Sequence, residues 1–226
     1  MLRIALFVLL TLSGAAMATD VKTLASLAPQ LKPAIINEAL GAVECARQFG
    51  IGNSARYLSV IDYTRSSQLP RLWVFDMKKQ TLKYEEYVAH GKGSGEDVPT
   101  QFSDREGSHQ TSLGLFLTDT TYEGGHGLSL RLHGLNRDLN QNAFDRLIVM
   151  HGAPYVNPKL AASLGRLGRS WGCPAVRTEV AQPMIDLLKE GQFIYAYGPG
   201  IEQSTDCQYE KIAIPPTLLT AQRTPS

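Results

Sequence analysis

The sequence predicts a mainly β fold with packed helices, an α+β domain whose strands form a sandwich or a barrel-like sheet. Two observations lead to this prediction. One stretch near the N-terminus repeats its apolar residues at helical spacing, whereas most of the chain beyond residue 51 consists of short segments rich in aromatic and β-branched residues. Turn-like stretches such as 66–70 and 77–81 separate these segments, as expected between neighbouring strands.

A helix is predicted over residues 33–48. Pro33 occupies a favourable first-turn position, and Gly50 follows the segment where a helix commonly ends. A second, shorter helix is predicted over residues 180–189. The apolar positions of the first helix recur at helical spacing: Ile36, Leu40, Val43 and Ala46.

The other regular segments are predicted strands, and the first three are expected to pair antiparallel. The strand that ends at residue 150 delivers His151 and Gly152 at its end. In chain order the predicted strands cover residues 57–63, 71–76, 82–89, 112–118, 128–132, 147–150 and 193–197.

The first 18 residues have the features of a secretory signal peptide. Arg3 precedes the apolar run 4–10, which is short for a bilayer span, and Ala16 and Ala18 form a small-x-small cleavage pattern. Cleavage is therefore expected after Ala18, and the alternative is an uncleaved N-terminal anchor. We expect a periplasmic or otherwise exported protein with no stable membrane span after cleavage.

Composition and charge narrow the function classes. Without Arg3, the chain has 21 basic and 21 acidic side chains, a balance that argues against a nucleic-acid binder and against an electrostatic membrane anchor. The oligomeric state stays open. The predicted organisation is a signal peptide over 1–18, a helical segment over 19–50, one β-rich domain over 51–203 and a polar tail over 204–226.

Three cysteines are an odd number for an exported protein, so one is expected to stay unpaired. A bridge between Cys45 and Cys207 would join the N-terminal helix to the C-terminal segment and leave Cys173 free. The alternatives are a reduced Cys45 in the core and a different pairing.

Residues suited to covalent chemistry concentrate in two segments, His151-Gly152 and Ser170-Trp171-Gly172-Cys173. A thiol becomes a nucleophile when a nearby imidazole takes its proton, so a cysteine and a histidine brought together from two loops can perform acyl transfer. Gly172 permits a tight turn, and Pro174 has no N–H. An oxyanion hole would therefore use the backbone N–H of Cys173, Gly172 or Trp171.

These two segments resemble the murein L,D-transpeptidases with a YkuD-type catalytic domain, whose signature is His-Gly followed by Ser/Thr-His-Gly-Cys. The resemblance covers His151, Gly152, Ser170, Gly172 and Cys173, and residues 57–197 more widely look like the divergent branch of the family. Trp171 replaces the second histidine of the signature.

The resemblance implies a peptidoglycan L,D-transpeptidase, with residues 51–203 as its catalytic domain. Cys173 would form a thioester with a stem peptide and pass it to an amine acceptor, His151 would be the general base, and Gly152 or Ser170 would orient the imidazole. The alternatives are an L,D-carboxypeptidase or amidase that hydrolyses wall peptides, and a non-catalytic peptidoglycan-binding module. His133-Gly134 repeats the His-Gly dipeptide and ranks below His151 as the base, because the loop after His151 leads directly into the cysteine motif.

Stem peptides are anionic, and guanidinium groups bind carboxylates through two parallel hydrogen bonds. The candidate substrate-binding residues are Arg131, Arg169, Trp171 and His126, with Arg177 as an alternative carboxylate ligand. No Cys-x-x-Cys, His-x-x-x-His or His-Glu-x-x-His spacing occurs, so no metal site is expected. The nucleophile, the base and the oxyanion donors can all be protein groups, so no organic cofactor is expected either.

Overall fold

A computed structural model describes residues 21–201 of the chain. The predicted signal peptide, the predicted disulfide partner Cys207 and the predicted tail 204–226 lie outside the described residues. No helix within 21–201 combines the length and apolar character needed to cross a bilayer.

The two predicted helices are present, together with two that the sequence analysis missed. The helix predicted over 33–48 has those bounds, and Pro33 opens its first turn. The helix predicted over 180–189 begins two residues earlier and ends one residue earlier. The helices are α1 (Val21–Leu27), α2 (Pro33–Gln48), α3 (Pro158–Leu164) and α4 (Thr178–Leu188).

Each predicted strand is present within a few residues of its predicted limits, except that the fourth extends to Gly124. A two-residue strand within the cysteine region was not predicted. The strands are β1 (Tyr57–Asp62), β2 (Leu72–Asp76), β3 (Thr81–Glu86), β4 (Gly114–Gly124), β5 (Gly127–Gly134), β6 (Val149–Gly152), β7 (Ala175–Val176) and β8 (Phe193–Tyr197).

The strands form one eight-stranded sheet in the order β3-β2-β1-β8-β4-β5-β6-β7. The first three pair antiparallel as predicted, but the sheet as a whole is mixed because β1 pairs parallel with β8 and β6 pairs parallel with β7. Ala89, which follows β3 at one edge, forms a bridge with Ala175 in β7 at the other edge. This contact closes the sheet, so the fold is barrel-like rather than a sandwich.

The N-terminal helix α2 shares its core with the sheet. Ile35, Ile36, Ala39 and Val43 are buried on its inner face and belong to the same apolar cluster as the residues of β1, β2, β4 and β8. The burial follows the helical spacing of these residues, because side chains three and four positions apart lie on one face.

A buried arginine fixes the segment that supports the cysteine turn. Arg71 is fully buried, donates twice to the carbonyl of Val88 and donates to Nδ1 of His90 at 2.8 Å. Burial lowers the pKa of Arg71 to about 10, and burial beside this guanidinium lowers the pKa of His90 to about 4. The carbonyl of His90 accepts from the N–H of Ser170 at 2.9 Å, so the cluster holds one end of the cysteine turn.

Candidate active site

Cys173 follows a tight turn that begins at Ser170. The Ser170 hydroxyl accepts from the N–H of Gly172 at 3.1 Å and donates to the carbonyl of Cys173 at 2.6 Å. Gly172 has φ of 127°, a conformation that residues with a Cβ rarely adopt. The motif residues therefore build the turn itself, with Ser170 as its internal brace.

The thiol of Cys173 contacts the backbone that leads into β6. Its Sγ accepts from the N–H of Val149 at 3.5 Å and donates to the carbonyl of Leu147 at 3.7 Å. Burial raises the pKa of Cys173 above its usual value, opposed by the Val149 N–H and the positive charge of Arg146. The resting side chain is therefore a neutral thiol at neutral pH.

His151 lies in β6, and sheet register brings it beside the cysteine turn. It is opposite Ala175 of β7, two residues beyond Cys173, and opposite Ser129 of β5. The Nδ1 atom lies 2.9 Å from the carbonyl oxygen of Gly152. Because a carbonyl only accepts, Nδ1 carries the proton and Nε2 carries the free lone pair.

Burial lowers the pKa of His151, and the nearby His126 lowers it further, whereas the bond to Gly152 opposes the shift. His126 lies in the turn between β4 and β5, and its ring stacks on that of His151 with centroids 4.5 Å apart. The imidazole of His151 is therefore neutral and unprotonated at Nε2 at neutral pH, which is the form a general base requires.

Cys173 and His151 line one groove of about 510 Å³, which we call the catalytic groove. The structure thus brings together both segments that the sequence analysis singled out. Predicted residues that also line the groove are Ser170, Trp171, Arg169 and His126. Residues that line it and were not predicted are Tyr122, Arg146, Leu147, Ile148, Val149 and Tyr155.

Of the three backbone N–H groups predicted as oxyanion-hole donors, two are available in the structure. The N–H of Gly172 is bound by Ser170, whereas no described group accepts from the N–H of Cys173 or Trp171. Two free backbone donors next to a thiol can stabilise the negative charge that develops on an attacked carbonyl oxygen.

The arginines near the catalytic groove differ in whether a carboxylate neutralises their charge. Arg177 forms a two-pronged ion pair with buried Glu86, so its charge is neutralised away from the groove. Arg169 lines the groove but binds Glu96 and the carbonyl of Gly95, each at 2.8 Å. Arg131 does not line the catalytic groove and stacks over the ring of Tyr122 at 4.3 Å.

Trp171 forms an exposed rim beside the thiol. Its side chain is 67% exposed, its ring stacks on that of His109 at 4.9 Å, and the Lys92 ammonium lies 5.1 Å from the ring centroid. An exposed indole next to a nucleophile offers apolar contact area to a bound peptide.

Arg146 is the groove residue that sequence reasoning missed most clearly. It is an isolated basic residue in a segment without a motif, so no sequence signal identified it. Its guanidinium binds Asp104, Ser112 and the carbonyl of Gln110. Its positive charge lowers the pKa of Cys173, in opposition to the larger effect of burial.

The competing histidine, His133, lies apart from the groove. Its Nε2 atom is 2.8 Å from Oδ2 of Asp119, and its ring stacks on Phe144. Cys45 is disulfide-bonded, whereas Cys173 is a free thiol. No cluster of three or more His, Cys, Asp or Glu within 21–201 has the geometry of a metal site.

Alkylation of Cys173 by iodoacetamide should rise about tenfold per pH unit from pH 5 to pH 8, without a plateau. The thiolate reacts, and the raised pKa keeps its fraction small throughout this range. Mass spectrometry of the Cys173 peptide measures the rate, with the urea-unfolded chain as control. We expect the unfolded chain to show a lower thiol pKa; a rate independent of pH from pH 5 upward would instead indicate a preformed thiolate-imidazolium pair.

Comparison with known proteins identifies a domain family. A family model described as an L,D-transpeptidase catalytic domain matches residues 27–197. No curated protein sequence matches the chain.

Three solved structures are similar to parts of this chain. An L,D-transpeptidase from Mycobacterium smegmatis has 16% identity and a TM-score of 0.39, with 64% of this chain and 59% of that chain covered. The helical cell shape determining protein Pgp2 of Campylobacter jejuni has 14% identity and a TM-score of 0.42, with 62% and 46% covered. An L,D-transpeptidase from Xylanimonas cellulosilytica has 13% identity and a TM-score of 0.37, with 63% and 61% covered. The chain thus spans less than two thirds of each of these structures.

Proposed function

The chain belongs to the family of L,D-transpeptidase catalytic domains, and from this premise we propose that it is an exported peptidoglycan L,D-transpeptidase with Cys173 as its nucleophile. The observation that carries the proposal is the presence, in one groove, of a free thiol and a neutral imidazole whose Nε2 has no hydrogen-bond partner among residues 21–201. Family membership supports peptidoglycan stem peptides as the substrate class.

The first half-reaction forms a thioester. His151 Nε2 takes the thiol proton as Cys173 Sγ attacks the carbonyl carbon of the stem peptide. The backbone N–H groups of Cys173 and Trp171 donate to the resulting oxyanion, and the positive charge of Arg146 favours the thiolate. As the C–N bond breaks, His151 returns its proton to the departing amine.

The second half-reaction transfers the acyl group. An amine from another stem attacks the thioester, His151 removes the proton from that amine, and Cys173 leaves as a thiolate that is then reprotonated. The catalytic groove contributes positioning and exclusion of water. The proposed roles of Ser170, Gly172 and Gly152 are indirect, because the first two shape the turn and the last sets the imidazole tautomer.

Incubation of the protein with purified tetrapeptide muropeptides, followed by mass spectrometry, tests this proposal. We expect cross-linked dimers and a released terminal residue with the intact protein, and neither product with Cys173→Ala. A covalent adduct should appear at short times, heavier than the protein by the mass of the muropeptide minus that of the released terminal residue. Shortened monomers without dimers would show that the protein hydrolyses the stem peptide and does not transfer it to an amine. No change in either sample would favour the non-catalytic binding module.

A further inference from the structure

A second cavity of about 170 Å³ adjoins the catalytic groove, and we call it the side cavity. It shares four lining residues with the groove, so the two spaces are adjacent. The side cavity is largely apolar and contains one charged group. Its lining residues are Tyr122, Arg131, Phe144, Leu147, Ile148 and Val149.

The charged group is Arg131, and no carboxylate among residues 21–201 compensates its charge. The other arginines around the site bind carboxylates: Arg146 binds Asp104, Arg166 and Arg169 bind Glu96, and Arg177 binds Glu86. Within the described part of the chain Arg131 has no carboxylate and no hydrogen-bond acceptor, only the ring of Tyr122. A half-buried guanidinium without a counter-ion, in an apolar cavity, favours an anionic ligand that can accept two parallel hydrogen bonds.

Sheet register places Arg131 at a defined distance from His151. Arg131 is opposite Val149, and Ser129 is opposite His151, in the antiparallel pair of β5 and β6. Arg131 and His151 are therefore diagonal neighbours on one face of the sheet, with Cβ atoms roughly 7 Å apart. That spacing, with the reach of both side chains, suits a ligand whose amine and carboxylate belong to a single amino-acid residue.

We propose that the side cavity binds the residue that leaves in the first half-reaction, with Arg131 holding its terminal carboxylate. This inference rests on the proposed function. His151 gives a proton to the amine of that residue as the C–N bond breaks, and the residue departs as a free amino acid. The protein therefore acts on peptide ends, and the small apolar cavity selects a terminal residue with a small apolar side chain.

Binding of two peptides to the Cys173→Ala variant tests the site without turnover. One is a stem tetrapeptide that ends in a free D-alanine carboxylate, and the other is its C-terminal amide. Calorimetry should give about 10- to 100-fold tighter binding of the acid, the range expected for charge-assisted hydrogen bonds. Adding Arg131→Gln should remove this preference and leave binding of the amide unchanged.

Two further variants separate charge from fork geometry and from general surface charge. Arg131→Lys should retain part of the preference, because an ammonium keeps the charge but not the two-pronged fork. Arg166→Gln is the matched control, since Arg166 binds Glu96 and lines neither cavity, and it should retain the full preference. Thermal melting of each variant verifies that it is folded.

The outcomes separate this inference from the proposed function. Equal binding of acid and amide by a protein that cross-links the acid peptide would overturn the carboxylate site and leave the transpeptidase. An Arg131-dependent preference in a protein that turns over neither peptide would overturn the transpeptidase and the leaving-residue assignment, and would leave a carboxylate-binding site. The same comparison can be made with acid and amide forms of the acceptor peptide while the donor peptide keeps its free carboxylate. If the Arg131-dependent preference follows the carboxylate of the acceptor, the assignment of the side cavity to the leaving residue is overturned.

Discussion

Replacing His151 with glutamine is expected to reduce kcat for cross-linking by about 10³-fold, within the range attributed to a positioned general base. The neutral thiol of Cys173 depends on His151 Nε2 for removal of its proton, because burial keeps its own pKa high. Glutamine retains hydrogen-bonding capacity but does not accept a proton at neutral pH. The rate of dimer formation at saturating muropeptide measures the effect.

His126→Gln is the matched control, because His126 stacks on His151 and has no proposed part in proton transfer. We expect kcat at pH 8 to change by only a few fold. The informative quantity is the pH at which activity falls on the acidic side. An equal loss of kcat in the two variants would contradict the assignment of His151 as the base.

The direction of the pH shift follows from the two causes that depress the pKa of His151. The base is active when neutral, so activity is lost as pH falls through its pKa, which lies below the usual value of about 6.5. His126→Gln removes the imidazole that lowers the pKa of His151, and it uncovers one face of the His151 ring. Both changes raise the pKa of His151, so the acidic limb of the kcat profile should move to higher pH; a shift to lower pH would contradict this account.

The regular elements with strong local patterns could be predicted from the sequence, whereas helices α1 and α3 and the two-residue strand β7 could not. Helix α2 has its predicted limits because its apolar face, its first-turn proline and Gly50 all agree. Helix α3 has a side-chain cap from Asn157 and a first-turn proline, yet only Ala161 is buried within it, so no apolar periodicity marked it.

The pairing of strands that are distant in the sequence could not be predicted, because no local pattern indicates the partner of a strand. The parallel contact of β1 with β8 joins segments from opposite ends of the described chain, and nothing in either strand specifies its partner. Strand β4 extends beyond its predicted end because the pairing with β5 continues past an irregularity between Thr118 and Thr121. Such an irregularity interrupts the alternation of apolar and polar residues along the strand, so the second half of β4 was not predicted as part of the same strand.

The site followed the same division. The motif residues Cys173, His151 and Ser170 were identifiable because their spacing is local. The ion pairs of the arginines could not be predicted, because the carboxylates that neutralise Arg169 and Arg177 lie 73 and 91 residues away in the sequence. The sequence analysis therefore listed Arg131 and Arg169 as carboxylate ligands, with Arg177 as an alternative. Of these three, only Arg131 has no counter-ion among residues 21–201.

Gly172→Ala is expected to lower kcat/KM by about 100-fold, because small displacements of a catalytic group have effects of this size. A Cβ at this position would lie 2.8 Å from the carbonyl oxygen of Gln110 and 3.0 Å from Cδ1 of Ile148. The Gln110 carbonyl is held by Arg146 at 2.9 Å, so it cannot yield easily. The turn must move instead, and the thiol and the oxyanion donors of Cys173 and Trp171 move with it.

Gly165→Ala is the control that separates displacement of the cysteine turn from the free-energy cost of placing alanine in a left-handed backbone conformation. Gly165 also has a positive φ, 72°, but a Cβ there would meet nothing within 4 Å. Urea unfolding should therefore show a loss of about 1–2 kcal/mol for Gly165→Ala and a larger loss for Gly172→Ala, where steric conflict adds to the conformational cost. Only Gly172→Ala should lose activity under conditions in which both variants are folded. Equal activity of the two variants would mean that the turn tolerates a Cβ and that its geometry does not set the position of the thiol.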